Sequence, residues 1–302
     1  LLSGGGMMHL LDSVGKSKFS VVPMHHEQTA SIAANAYGRT KNTIGICLVT
    51  SGPGATNAIT GVAAAFMDSI PMIIISGQVS TLFSKKNMNI RQLGFQEFDI
   101  ISSVKSTTKY AVNVNDKNKV QYEIEKACFL AKHGRPGPVW IDIPLDIQNS
   151  QINLKKNKSF FYKNNNLKNY NPDVNKTSID LVIKNLKKSK RPLIVFGQGV
   201  YLSEAKSLAR KFIDKFKLPC QTTWNSIDLI PENNKYYFGR ANSYGPRYPN
   251  FIIQNADYIL TIGCRLGVQH TGYNVKAFGR NAILHMVDLD INESKILQIG
   301  EK

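Results

Sequence analysis

No apolar run in this chain approaches the ~18 to 20 residues that would span a bilayer, so a membrane-embedded fold is not expected. The four cysteines, Cys47, Cys128, Cys220 and Cys264, lie far apart and form no CxxC pair. That spacing argues against a zinc ribbon or a disulfide-stapled scaffold. Two of the four sit in apolar, strand-like runs (GICLVT and LTIGCRLG), and buried free thiols in a reducing cytoplasm are the reading. The opening LLSGGGMMHLLDS has no basic leader and no continuous apolar stretch, so no secretory signal is read. It also lacks an initiator Met and starts as though partway through a strand, from which an incomplete chain is expected. Acidic residues are scarce: 21 Asp and Glu face 38 Lys and Arg. Between Asp12 and Asp68 there is a single one, Glu27.

The net charge of +17 raises the question of nucleic acid, but it is unevenly spread. From Gln151 to Arg191 ten Lys and one Arg face two Asp, so +9 lies in one Asn-rich segment that reads as a solvated linker. Phe160, Phe161, Tyr162 and Tyr170 could supply a stacking surface there. The rest of the chain carries enzyme-like loops, so no nucleic-acid partner is expected. At 302 residues with 42% hydrophobic content, two domains and an ample core are the prior.

The order of signals gives the class. The β-branched run IGICLVT (44–50) is followed by a glycine turn SGPGATN, a helical AITGVAAAFMDS and the buried strand MIIISGQV. Strand, loop, helix and strand in that order predict a parallel sheet with right-handed crossovers. VQYEIEKACFLAKHG reads as an amphipathic helix with Val120, Ile124, Ala127, Cys128 and Ala131 on one face, and RPGPVWIDIPLDIQ closes the unit with a strand. After the 151–177 linker, RPLIVFGQG, LPCQTT, ADYILTIGCRLG and AILHMVDLDI predict four more strands, and Ser203 is the expected cap of the helix SEAKSLARKFIDKF. The expected fold is α/β: a Rossmann-like or flavodoxin-like domain over 1–150, the linker, and a second such domain over 178–302.

Three stretches invite chemistry. GPGATN (52–57) has two glycines of a dinucleotide fingerprint but Asn57 in place of the third, and the following strand ends in no acid. NAD binding by this half is not expected; the loop is either a tight strand–helix turn or a device placing Asn57 and backbone groups against a ligand. HHEQTA begins like a zinc motif, but the position four after His26 is Ala30, so the second imidazole is missing. In EQTASIAANAYGR, Ala30, Ala33, Ala34 and Tyr37 share a smooth helical face behind Glu27, and FSVVP before it reads as a strand. Glu27 is then either a first-turn glutamate favoured by the helix dipole by ~0.3 to 1 kcal/mol, or a buried carboxyl poised to meet a partner nitrogen.

Taken together, HHEQTASIAANAYGR, TSGPGATNAITGVAAAFMDSIPMIIISGQV, GFQE, TTKYAV and GRPGPVWIDIPLDIQ resemble the thiamine-diphosphate enzymes of the acetolactate synthase type over residues 1 to 150. RPLIVFGQG, GCRL and VDLD resemble that family's central domain more loosely. The resemblance implies two consecutive α/β domains, thiamine diphosphate as cofactor and 2-oxo acids as substrates. It implies that Glu27 hydrogen-bonds a ring nitrogen of the cofactor's aminopyrimidine and favours the imino tautomer, which deprotonates the thiazolium carbon that attacks a 2-oxo acid such as pyruvate. Pro53 and Asn57 match the loop beside the aminopyrimidine, and Gln96, with Phe95 next to it, matches a position near the thiazolium. Gly5 matches a glycine turn facing the reacting carbon, and Lys109 a lysine near the substrate channel. Ser69, Arg135, Gly197, Gly199, Gly263, Arg265 and Asp288 match positions that touch a structural flavin (FAD) in the synthases.

The chain also departs from that family. After GQV it reads STLFSKKNMNIRQLGFQE, without the proline and paired arginines of the synthases, and Gly267, Val268 and Gln269 replace an acidic pair and a flavin-contacting arginine. A sister enzyme using another 2-oxo acid, in nucleotide-sugar or surface-polysaccharide metabolism, fits this pattern, and a non-catalytic homologue is the rival from another class. No Gly-Asp-Gly occurs, so ligands for magnesium and the diphosphate are expected in a third domain outside this sequence. The resemblance further implies a homodimer or homotetramer with the site at a subunit interface.

Overall fold

The computed structural model of the chain describes residues 1–86, 88–154, 157, 159–163 and 175–298. The chain divides into two compact units, Leu1–Tyr170 and Asn171–Lys302. Within the expected linker at 151–177, residues 155, 156, 158 and 164–174 lie outside the described residues, Tyr170 among them.

In the first unit β1 (Gly45–Val49), β2 (Met72–Gln78), β3 (Tyr110–Asn113) and β4 (Pro138–Pro144) form a wholly parallel sheet in the order β1-β2-β4-β3. The helices along it are α1 (Met8–Gly15), α2 (Glu27–Lys41), α3 (Pro53–Asn57), α4 (Ile59–Met67), α5 (Ile100–Val104), α6 (Val120–Lys132), α7 (Leu145–Gln148) and α8 (Phe160–Lys163). Burial on both faces explains why the central strands read as unbroken apolar runs. Ile73, Val139 and Ile141 pack with Ala127 and Ala131 of α6, while the alternating Met72, Ile74 and Trp140 are buried just as completely. Each buried Ile, Val or Met among them contributes roughly 1.5–3 kcal/mol when removed from water.

The alanines of α2 bring it close to the sheet: a Cβ added at Gly45 would lie 1.9 Å from the carbonyl oxygen of Ala34. The buried face of α2 is Glu27, Ala30, Ser31, Ala34, Asn35 and Gly38, so Tyr37, expected on it, points outward instead. The helix ends at Asn42, whose left-handed φ of 49° turns the chain into β1. FSVVP is not a strand, and Phe19, Val21 and Val22 are exposed. Its ladder bonds are limited to Leu1 N donating to Val22 O and Met24 N to Leu1 O, too few for a regular edge strand.

In the second unit β5 (Pro192–Phe196), β6 (Cys220–Thr222), β7 (Tyr258–Ile262) and β8 (Ile283–Val287) form another parallel sheet, in the order β6-β5-β7-β8. Its helices are α9 (Lys176–Lys188), α10 (Gly199–Leu202), α11 (Lys206–Phe216), α12 (Arg247–Asn255) and α13 (Val268–Thr271). Ser203 does not cap α11: it closes α10, its hydroxyl donating to Val200 O, and α11 starts after Ala205 with no side-chain cap. Glu204, at a φ of 59°, supplies the turn that separates the two helices. Because β6 and β7 lie on opposite sides of β5, the strand order reverses between β5 and β7, which opens a crevice at their carboxyl ends.

Candidate active site

Glu27 is the first residue of α2 and is only 9% exposed. His26 caps the helix, its Nδ1 accepting the Gln28 amide at 3.0 Å, which gives that imidazole a local task. Across from Glu27, β1 runs into Gly52, whose φ of 59° turns the chain so that Pro53 opens α3. The SGPGATN stretch is therefore largely a helix start rather than an open turn. This short helix carries Asn57 to the carboxylate, where Nδ2 donates to Glu27 Oε2 at 3.0 Å. The other oxygen, Oε1, lies 3.1 Å from where a Cβ on Gly54 would stand. A side chain at position 54 would press on Thr50 and on the acid; glycine avoids both. Burial pushes the nearby Cys47 thiol up to about 11, and the Glu27 charge adds to that shift.

The same carboxyl edge gathers two further loops. The glycine turn at residues 4–6 crosses the end of β1, Gly6 N donating to Thr50 Oγ1 at 3.0 Å. Gly4 and Gly6 are both crowded, against Thr50 and Ser51, whereas a Cβ at Gly5 would meet nothing within 4 Å. The loop 79–98 leaves β2 and returns along the same edge. Gln96, with a φ of 59°, lays its backbone against Gly52, its carbonyl oxygen 2.6 Å from a Cβ built there. Neighbouring Phe95 is 84% exposed. Glu97 closes the loop on itself, accepting from Lys85 N, Leu93 N, Gly94 N and Ser84 Oγ. Burial pushes this carboxyl up, but those four donors outweigh burial and hold it below the ordinary range. Asp146 pins the outgoing limb through the amide and hydroxyl of Thr81.

Beneath these loops lies a polar network absent from the sequence-based site. Asp142, in β4 and 1% exposed, accepts from Ser76, Gln78 and Asn113. Trp140 Nε1 donates to the same Ser76 hydroxyl at 2.8 Å. Burial pushes the Asp142 carboxyl up to about 6 in spite of its three donors. The available signal was a lone acid inside the apolar run VWIDIP.

Glu27, Pro53, Asn57, Gln96 and Gly5 thus share one edge of the first sheet. Three other expected residues of this unit lie at the opposite, amino edge. Lys109 immediately precedes β3, and its Nζ donates to Leu130 O and His133 O at the end of α6. Lys109 is exposed overall, but its ammonium end is tucked against that helix, and desolvation lowers it to about 8. Ser69 and Arg135 precede β2 and β4, and Arg135 Nε donates to Ser69 Oγ at 2.9 Å.

In the second unit Gly197, Gly199 and Gly263 meet at the crevice between β5 and β7. A Cβ at Gly197 would lie 2.1 Å from Gly263 O, and one at Gly263, where φ is 59°, would lie 2.7 Å from the Gly199 Cα. Arg265 and Asp288 are exposed beside this crossing. Burial pushes the thiol of the intervening Cys264 up to about 12. Among the described residues no group of three His, Cys, Asp or Glu side chains could hold a metal ion. All four cysteines are free, and no described helix is long and apolar enough to cross a membrane.

Residues 1–103 match the thiamine pyrophosphate enzyme N-terminal TPP binding domain, and residues 179–299 match the thiamine pyrophosphate enzyme central domain. With two parallel α/β units and a buried glutamate at the edge of the first, the chain belongs to the thiamine pyrophosphate enzymes. Within that class it is similar to acetolactate synthase large subunits. It is 31% identical over 293 residues to one from Lactococcus lactis, covering 96% of this chain and 49% of the relative. It is 35% identical over 295 residues to one from Buchnera aphidicola, covering 95% and 49%. It is 33% identical over 289 residues to a protein named probable acetolactate synthase large subunit from Methanococcus aeolicus, covering 95% and 47%. The chain spans about half the length of the curated relatives it matches.

Proposed function

We propose that this chain forms the first two domains of a thiamine-diphosphate-dependent carboligase that decarboxylates one 2-oxo acid and joins the remainder to a second. An acetolactate synthase-like conversion of pyruvate to 2-acetolactate, in branched-chain amino acid biosynthesis, is the specific reading. The observation that carries it is Glu27: a carboxylate sheltered from water, fixed through one oxygen by Asn57 and faced at the other by Gly54, which has no side chain. Those residues fit the aminopyrimidine end of thiamine diphosphate, which when bound supplies the electron sink for decarboxylation. Glu27 would hold or release a proton at Oε1, while Asn57 keeps the carboxylate from rotating away. Pro53 and the Gln96 loop would shape the walls, and Gly5 would leave room for the reacting carbon, with Phe95 proposed on the substrate side; Lys109, held at the opposite edge of this sheet by Leu130 O and His133 O, is given no part in this reading.

Magnesium and the diphosphate would be held by residues beyond this sequence. For a flavin, the set Ser69, Arg135, Gly197, Gly199, Gly263, Arg265 and Asp288 gives weak support. The three glycines are accounted for by the crossing of their own loops, and Ser69 and Arg135 bond each other. No step is assigned to a flavin. Exposed Phe95, Leu82, Phe83 and Met88 beside the site support a homodimer or homotetramer that completes it. The free thiols support a cytoplasmic setting. Gly267, Val268 and Gln269 favour a second reading, a sister enzyme for a different 2-oxo acid.

The test is turnover of pyruvate and a panel of 2-oxo acids by the full-length protein and its Glu27→Gln variant, with thiamine diphosphate binding followed by calorimetry. The variant is expected to lose roughly 10²–10⁴-fold in kcat, the usual contribution of a general acid/base. Equal turnover by both would remove Glu27 from the mechanism.

A further inference from the structure

One buried acid has no task in the site described above. The Asp142 carboxylate receives three hydrogen bonds: Ser76 Oγ to Oδ1 at 2.6 Å, Asn113 Nδ2 to Oδ2 at 2.7 Å and Gln78 Nε2 to Oδ2 at 3.1 Å. Gln78 is itself 8% exposed and makes two other bonds. Its Oε1 accepts from Val79 N at 3.0 Å, and its Nε2 donates to Phe98 O at 2.9 Å. Val79 and Phe98 are the first and last residues of the loop 79–98. A single amide therefore grips both ends of the segment that carries Phe95 and Gln96. All three partners agree on one amide orientation: Val79 N can only donate, Phe98 O and the Asp142 carboxylate can only accept, and Asp142 adds the charged partner that holds Nε2 in place.

We propose that Asp142 is a positioning residue for the loop 79–98, acting through Gln78 to clamp both ends of the loop and so set where Gln96 lies against Gly52. The structural half of this inference stands on the hydrogen bonds alone; its consequence for turnover rests on the reading of this edge as the active site.

The clamp is strongest when Asp142 is ionised, because a bond to a charged acceptor is stronger than one to a neutral acceptor. Protonation on Oδ2 also removes a lone pair that Gln78 and Asn113 share, and protonation on Oδ1 forces the Ser76 hydroxyl to turn. The groups facing Asp142 from β2 and β3 are neutral: Ser76, Gln78 and Asn113. From α4 and α6 the buried faces are Gly61, Val62 and Ala65, and Ala127 and Ala131. α5 presents Ile100 and Val104, preceded by its cap Asp99, whose charge favours the protonated form of Asp142. Asp146 of α7 is engaged with Thr81. With the carboxyl at about 6, the clamp changes strength within the range between pH 5 and pH 8.

Hydrogen exchange of the full-length protein, corrected for intrinsic chemical exchange, reads this directly. In the wild type, protection of peptides from 79–98 should fall roughly tenfold between pH 8 and pH 5, the difference between a charge-assisted and a neutral hydrogen bond. Peptides from 192–196 serve as the reference and should not follow that profile. Asp142→Asn should show the low-pH protection at every pH, and Gln78→Leu should do the same with Asp142 intact. A flat wild-type profile, which needs no variant to fold, overturns the proposal, as does a wild-type profile retained in Asp142→Asn. Thiamine diphosphate binding by calorimetry separates the two readings. If no form binds the cofactor yet the exchange profile is as expected, the active-site reading fails and the clamp stands.

Discussion

At the carboxyl edge of the first sheet, side chains hold the turns. Asn57 holds Glu27, Thr50 holds the glycine turn, Glu97 closes the loop 79–98, and Gln78 grips both ends of that loop. At the crossing between β5 and β7 in the second sheet, backbone holds the turns: Gly197 N donates to Ile262 O, Gly199 N to Gly263 O and Gly263 N to Val287 O. The first arrangement takes carboxylates out of water at a cost in desolvation, which their side-chain and backbone donors offset. The second is a close crossing of loops around a buried, inert thiol, and it serves shape. On the function proposed above, two sheets of similar topology separate reactivity from scaffolding.

The sharpest way to break this contrast is the exchange of acid for amide at position 27, since the reactive edge should lose its turnover while keeping its fold. Next comes Gly263→Ala, in which a Cβ would meet the Gly199 backbone at a φ of 59°. It should destabilise the second unit by about 2–4 kcal/mol from combined strain and overpacking, read by urea unfolding followed at Trp224. An unchanged midpoint would mean the crossing is not close-packed. Asp142→Asn tests what the buried acid does to global stability. Its folded value of about 6 is raised above the ~3.9 of an unfolded aspartate. The folded state therefore binds more protons between these values, and its contribution is fully present below about pH 4 and lost as pH rises through 6. Relative to Asp142→Asn, the wild type should lose on the order of 2–3 kcal/mol across that window and then level off. A difference independent of pH would show that Asp142 titrates as in the unfolded chain.

Two smaller effects sharpen the same contrast. Lys109→Met removes the cation from the last carbonyls of α6 and should cost about 1 kcal/mol in thermal unfolding. The sign at higher pH follows from a folded value of about 8, below that of a free lysine. The wild type gains stability relative to the variant as pH rises above 8, because its unfolded form still holds the proton there. Smallest in stability is Gly5→Ala, since nothing lies within 4 Å of the added carbon. Its unfolding midpoint should move by less than ~0.5 kcal/mol, while the KM for a 2-oxo acid rises if the turn faces the reacting carbon.

The alternation of apolar runs with glycine turns and amphipathic helices made both parallel sheets legible. β1, β2 and β4 fall where IGICLVT, MIIISGQV and VWIDIP place them, because strands buried on two faces admit little else. FSVVP had the same composition without the neighbours, and Ser203 had the right residue type two residues too early. Composition cannot report either. Glu27 and Asn57 were visible as a pattern, yet their contact is made by Gly52 and Pro53 folding α3 across the strand end. The placement of Lys109, Ser69 and Arg135 was in principle readable. Each precedes a strand, and in a parallel sheet that puts it at the edge opposite the loops that follow strands.

Glu97 gives the loop 79–98 a closed internal bracing, so its apolar tip at Met88 and Ile90 is mechanically separate from the stem that bears Gln96. Mutational drift at that tip can reshape what the protein touches without disturbing the neighbourhood of Glu27. In such a molecule a new contact surface can evolve by changing a few exposed residues, with the buried glutamate and its partners inherited unaltered.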